Sequence, residues 1–315
     1  MWFPRSVLES TWPWMRGLGR IIHATIPGPF CNDTILSVSD YSGGHHNSQI
    51  TAYSFLYFDP RLSRDWPRIS REVRSEHLHD ARRMAFKSLN DFQRANALPY
   101  FLSAADSLCG ILCTVAVDKS YTWMATTPDT VGMWKLRRPL HARWTPSTFE
   151  QMMRVTLLWS FILSYLARPY QNVTWITDQD QIAANDDRLS DLLEIAAKIS
   201  GSFNRWPMRE LAINTTAIDN GDRGFEDLVA IPDLVAGAFA EVASRWEIDK
   251  AHDHRIPHNH AIDTLSPKSC LITDWHSYKG GLLRKVAVAI RKIPNGKMLI
   301  HRIESTGELL EQEES

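Results

Sequence analysis

Cysteine is scarce. The 315-residue chain has four, Cys31, Cys109, Cys113 and Cys270. They include no C-x-x-C pair, which excludes a disulfide framework and fits a reducing compartment. Net charge is nearly absent too. Thirty-five Lys and Arg face 36 Asp and Glu, for a formal charge of −1. The protein is not a bulk polycation, so any nucleic-acid contact needs a local concentration of positive charge. Long apolar runs are missing. The most apolar helical stretch, "VTLLWSFILSYLA" (Val155–Ala167), has 13 residues, too few to span a bilayer. The opening "MWFPRSVLESTWPWMRGLGR" lacks the apolar run of a signal peptide. The expectation is a soluble, cytoplasmic protein with no membrane partner. There is no internal repeat and no low-complexity tract.

The remainder is ordinary globular composition, 44% hydrophobic and 23% charged, and long enough for one large domain or two small ones. Residues 1–34 mix Trp, Pro and Arg and read as an irregular arm or short helix. Ile35–Ser39 and Gln49–Asp59 read as strands joined by the turn-rich "YSGGHHNS", an antiparallel hairpin. Residues 61–108 read as mostly helical, with Leu98, Phe101, Leu102, Ala105 and Leu108 at helical spacing. The apolar run Ile111–Val117 suggests a strand buried on both faces. Thr145 as N-cap, Pro146 as first helical residue and Pro169 as terminator bound a long helix. "NVTWITD" and "ELAINTTAI" read as strands around a helix, "DRLSDLLEIAAKIS", that Gly201 stops. "IPDLVAGAFAEVASRW" reads as a helix with Asp233 in its first turn. Residues 249–315 add a His-rich loop, a β-hairpin turning at Pro294-Asn295-Gly296, and an acidic end.

Acidic residues mark the element boundaries. Asp40 ends the first strand, Asp178 the fourth, Asp233 opens a helix, and Glu150 lies early in the long helix. Asp40 alone is equally a turn-former. Asp178 competes with Asp180 as the functional acid of its loop, and Asp233 and Glu150 are also ordinary near a helix N-terminus. If the first and fourth strands are neighbours, however, Asp40 and Asp178 meet. Clustered carboxylates repel unless a cation neutralises them. Oxygen-only ligands favour Mg²⁺ or Mn²⁺.

The element order resembles the ribonuclease H-like superfamily. "SVSDYSGG" and "IPDLVAGAFAEV" resemble two signatures of a bacterial family of that fold, called domain of unknown function 3800. The resemblance covers Ile35 to Trp246. It implies a mixed α/β sheet flanked by helices over residues 35–248, with residues 61–108 as a helical insertion after the second strand. It further implies two divalent ions on Asp40, Asp178 and Asp233, with Glu150 orienting the attacking water. The expected activity is metal-dependent phosphodiester hydrolysis, as in a nuclease. The alternative is a non-catalytic scaffold or nucleic-acid-binding module. Tyr41 stands where that family usually has Glu.

Other residues are open both ways. Lys87 is a phosphate partner or a solvated lysine. Arg284, Lys285, Arg291 and Lys292 on the C-terminal hairpin either track a nucleic-acid backbone or guard an edge strand. His252, His254, His258 and His260 have a zinc-like spacing without a cysteine nearby, and a solvated loop is the better reading. His45 and His46 flank Asp40. Trp12, Trp14, Trp134 and Trp144 lie in Arg-rich stretches and serve packing by default.

Overall fold

The serines of the first strand find their reason in two buried indoles. Trp159 Nε1 donates to Ser37 Oγ at 3.0 Å and Trp175 Nε1 to Ser39 Oγ at 2.8 Å. The two indoles stack at 4.6 Å. Leaving an indole N–H buried without a partner is costly, and the small polar residues of β1 (Thr34–Ser42) satisfy these two. The computed structural model describes residues 14–26, 28–43, 48–79, 82–127, 130, 140–204, 207–219, 223–245, 255–256, 265–292 and 298–305.

β2 (Ile50–Phe58) pairs antiparallel with β1, and β3 (Gly110–Asp118) antiparallel with β2. β4 (Asn172–Thr177) lies parallel to β1, and β5 (Glu210–Thr215) parallel to β4. β7 (Leu283–Lys292) runs parallel to β3, and β8 (Met298–Ser305) returns antiparallel to β7. The two-residue β6 (Arg255–Ile256) touches the outer edge of β8. The order is β5-β4-β1-β2-β3-β7-β8-β6. The fold is α/β, a mixed sheet with helices on both faces.

One face carries α1 (Trp14–Thr25), α4 (Pro146–Leu166) and α5 (Asp186–Phe203). The other carries α2 (Trp66–His77), α3 (Phe92–Ala105), α6 (Gly224–Arg245) and α7 (Pro267–Ser277). Strand alternation feeds both cores. Cys113, Val115 and Val117 join the first, and Leu112 and Ala116 the second. This matches the two-face burial expected of Ile111–Val117. Thr145 caps α4, accepting from Thr148 N at 3.2 Å.

Of the two readings of the arm the helix holds, since α1 buries Trp14, Met15, Leu18 and Ile22. Three expectations change. α5 passes through Gly201 to Phe203, and Asn204 N closes it on Ser200 O at 2.8 Å. α6 begins at Gly224, two turns before the expected start. The Asp219 carboxylate accepts from Phe225 N at 3.2 Å and Glu226 N at 2.7 Å, and so caps the helix there. Pro232 is therefore interior, and Asp233 is mid-helix rather than in a first turn. The C-terminal hairpin is not an appendage. Its first strand is inserted in the sheet between β3 and β8.

Among the described residues no helix is long and apolar enough to cross a membrane. His45, His46, Trp12, Trp134, the four late histidines, the turn at residues 294–296, Lys297 and the acidic end lie outside the described residues.

Candidate functional site

Register and pleat bring the first two carboxylates together. β1 and β4 are parallel neighbours with Ser39 opposite Thr177. One residue further on, Asp40 and Asp178 stand side by side. Val38 and Ile176, two residues before each, belong to the core under α6. The period of two therefore turns both carboxylates to the α6 side. Asp233 arrives there from the middle of α6, flanked by buried Leu234, Val235 and Ala236. All three line a cavity of about 930 Å³.

Their environments differ. Asp40 Oδ1 accepts from Tyr41 N at 2.7 Å, and Asp233 Oδ2 from Phe86 N at 2.7 Å. Asp178 is far better supplied. Thr216 Oγ1 and Gln179 N each donate to its Oδ1 at 3.0 Å. The Arg83 guanidinium reaches Oδ2 at 2.9 Å and Oδ1 at 3.3 Å.

The electrostatics follow. Burial, then the charges of Asp233, Asp178 and Asp180, push the Asp40 carboxyl well above the usual range, against the pull of Arg83. Burial also raises Asp233, although the Phe86 amide and Arg83 hold it back. Burial would raise Asp178 as well, but the Arg83 and Thr216 bonds win and leave it below the usual range. Burial pushes Asp180 up to about 6, against the Ile182 and Ala183 amides. Two acids with few donors beside a third with a guanidinium on it form the acidic floor of the cavity.

A strap supplies the local cations. Residues 82–85 are not helical, unlike most of the insertion, and lead into the short 3-10 turn Phe86–Ser88. Lys87 is exposed, lines the cavity, and its charge favours ionised Asp233. Phe86 docks the strap against α6, where Gly237 leaves room for the ring. A Cβ at Gly237 would run into the Cβ and ring of Phe86. Gly237→Ala is therefore expected to destabilise the fold by about 2 kcal/mol through overpacking. Denaturant unfolding checks it, and a cost below about 0.5 kcal/mol would show that the strap yields freely.

Glu150 does not join the three aspartates. α4 packs on the opposite face of the sheet, so its acid approaches the same cavity from the other side. It is 4% exposed and fully engaged. Glu150 Oε1 accepts from Met124 N at 2.8 Å and Ala125 N at 3.0 Å, Oε2 from Thr126 N at 2.7 Å, and Arg154 pairs with it at 2.9 Å. It holds the loop after β3 and has no free oxygen for a water. Asp191 does similar work for the segment before α4, accepting from His141 N, Ala142 N and Trp144 Nε1 at 2.9, 3.0 and 2.7 Å.

The hairpin cations also divide. Lys285 is buried, paired with Asp106 at 2.5 Å and lying 4.2 Å from the centre of the Trp275 ring. Arg291 is 5% exposed and donates to the Ala243 carbonyl. Both share a strand face with Ala287 and Ala289, which belong to the core under α6 and α7, so neither is available to a backbone phosphate. Arg284 and Lys292 are exposed, and neither lines the carboxylate cavity.

Sequence reasoning missed Arg83, Arg94, Lys119 and Arg154, all of which line the cavity. Arg83 lies in "DARRMAFKSLND", where nothing local separates it from a solvated helix face.

A hard dication is tested by the donor set. The three acids offer oxygen alone, and Asp40 and Asp233 each keep lone pairs without a protein donor among the described residues. That chemistry fits Mg²⁺ or Mn²⁺. Among the described residues, the three aspartates included, no group of three or more His, Cys, Asp or Glu side chains is placed to hold a metal ion. Arg83 on Asp178 occupies part of that ground. No family model matches the chain, and no curated protein matches it.

Proposed function

We propose that the cavity hydrolyses phosphodiesters with the help of a divalent cation, Mg²⁺ or Mn²⁺, and that its natural substrate is a nucleic acid. The observation that carries this reading is the convergence of Asp40, Asp178 and Asp233 on one side of adjacent parallel strands, with Asp40 held against its own ionisation. The order β5-β4-β1-β2-β3, with its antiparallel and parallel pairs, supports a ribonuclease H-like arrangement. A dication bound there would polarise the phosphoryl oxygens and activate water.

The chain's own residues do the rest. Asp40, Asp178 and Asp233 would hold the ion. Lys87 and Arg83 face the same floor and offset the charge of an incoming phosphate. Asp180 also lines the cavity, and burial pushes its carboxyl up to about 6, which suits acid–base work. Glu150 keeps the loop wall in place rather than touching substrate.

The test is calorimetric Mn²⁺ titration of the purified chain, followed by incubation with RNA, DNA and hybrid duplex. Mn²⁺ binding and cleavage of one of them are expected. Neither binding nor cleavage would end the reading.

The Arg83–Asp178 pair favours a second reading, a non-catalytic module of the same fold in which arginine permanently replaces the metal. Salt-sensitive nucleic-acid binding without turnover is its expected result.

A further inference from the structure

Arg83 has too few partners for a structural arginine and too good a position for a solvated one. Its side chain is 31% exposed, and its only ion pair among the described residues is with Asp178. Its Nε is buried without a hydrogen-bond partner there. Its charge acts on Asp178, Asp40 and Asp233 together. The backbone beneath it is fixed. Arg94 Nε donates to Arg83 O at 2.8 Å. Lys268 Nζ donates to Phe86 O at 3.1 Å and lies 4.4 Å from the centre of that ring. Phe86 N donates to Asp233. The strap is thus anchored through backbone atoms, by bonds that do not use the Arg83 side chain.

We propose that Arg83 is a phosphate-binding residue that the cation-free protein parks on Asp178. The inference rests on the cation-site reading above. A guanidinium among three carboxylates relieves their repulsion, and a dication at the same place relieves it more strongly. The two positive groups repel each other, so loading the cation weakens the hold of Asp178 on Arg83. The freed fork matches two phosphoryl oxygens as well as it matched a carboxylate. The tether at Arg83 O keeps it at the cavity wall, beside Lys87. Cation loading and capture of a substrate phosphate are thereby linked through one side chain.

The experiment compares wild type, Arg83→Ala and Arg83→Lys as full-length proteins. Mn²⁺ affinity is measured by calorimetry. Affinity for a phosphorothioate-linked dinucleotide is then measured with Mn²⁺ saturating. Arg83→Ala is expected to bind Mn²⁺ about tenfold more tightly, because a competing charge is gone. It is expected to bind the dinucleotide about tenfold more weakly, because a bidentate partner is gone. Arg83→Lys keeps the charge and loses the fork, so its Mn²⁺ affinity stays near wild type while dinucleotide affinity falls. It also serves as the deciding variant if Arg83→Ala shows no cooperative melt. If wild type binds Mn²⁺ and Arg83→Ala binds it no more tightly, the role of Arg83 falls and the cation site stands. Unchanged dinucleotide affinity in Arg83→Lys overturns it as well. If none of the three binds Mn²⁺, the cation site itself falls and this inference with it.

Discussion

Asp40→Asn is expected to do two opposite things: raise the melting temperature of the cation-free protein, and remove the stabilisation that Mn²⁺ gives. The first effect follows from burial and from the charges of Asp233, Asp178 and Asp180, which raise this carboxyl far above its ordinary value near 3.8. An acid whose folded pKa is raised contributes stability below the unfolded value and loses it as pH rises through the folded value. The buried Asp40 carboxyl therefore costs stability as pH rises, and Asn removes that cost in a similar shape. The second effect follows because Asn is neutral and a weak ligand for a hard cation. Hydrolysis is expected to fall about 10³-fold, the equivalent of the several kcal/mol of charge stabilisation that a bound dication supplies. Thermal melts with and without Mn²⁺, for wild type and variant, read both effects at once. A variant that melts lower without cation, or gains as much from Mn²⁺ as wild type does, would sink the idea. Stability given up at Asp40 is the signature expected of a residue kept for binding rather than for folding.

What could be read in advance depended on how local each signal was. The strands around Asp40 and Asp178 were legible because β-branched and aromatic runs bounded by turn residues are local patterns. Their adjacency was a guess about topology, and the pairing of Ser39 with Thr177 makes it a fact of register. Asp233 was found for an incomplete reason. Pro232 looked like a helix start, because proline favours that position, yet the Asp219 carboxylate opens α6 earlier and the helix runs on through Pro232. Glu150 was misplaced because the pattern of α4 says which residues are apolar and not which face of the sheet they cover. Lys285 and Arg291 looked like an exposed stripe only while their strand was taken for an edge. Between β3 and β8 the same residues go inside. Arg83 was not legible at all. Its placement is defined by Asp178, 95 positions away in sequence, and no spacing rule reaches that far.

Acid is expected to destabilise this fold through His276, which does not line the carboxylate cavity. It lies near the end of α7, 7% exposed, with the Phe239 ring edge-on at 4.7 Å. Lys285 and Arg302 from β7 and β8 direct positive charge at it, and Asp106 is already paired with Lys285. Burial first, and those two cations second, push its pKa from 6.5 down to about 3, against a hydrogen bond with the Val286 backbone. The sign is that of a base with a depressed folded pKa. The unfolded chain takes up the proton that the folded one refuses, so stability is present above pH 6.5 and drains away as pH falls toward 3. The full gap corresponds to an upper limit of about 5 kcal/mol, of which about 3 kcal/mol is lost by pH 4. That is a large part of the net stability of a typical domain, about 5–15 kcal/mol. Asp40 works the other way, since protonation relieves it, so pH profiles of the wild type alone would mix the two. His276→Gln separates them. The variant is less stable than wild type at pH 7, where neutral His packs well, and the gap closes or reverses by about 3 kcal/mol at pH 4. Urea unfolding of both proteins at the two pH values measures it. An equal difference at pH 7 and pH 4 would mean that His276 takes up its proton as readily folded as unfolded, and that the two neighbouring cations do not govern it.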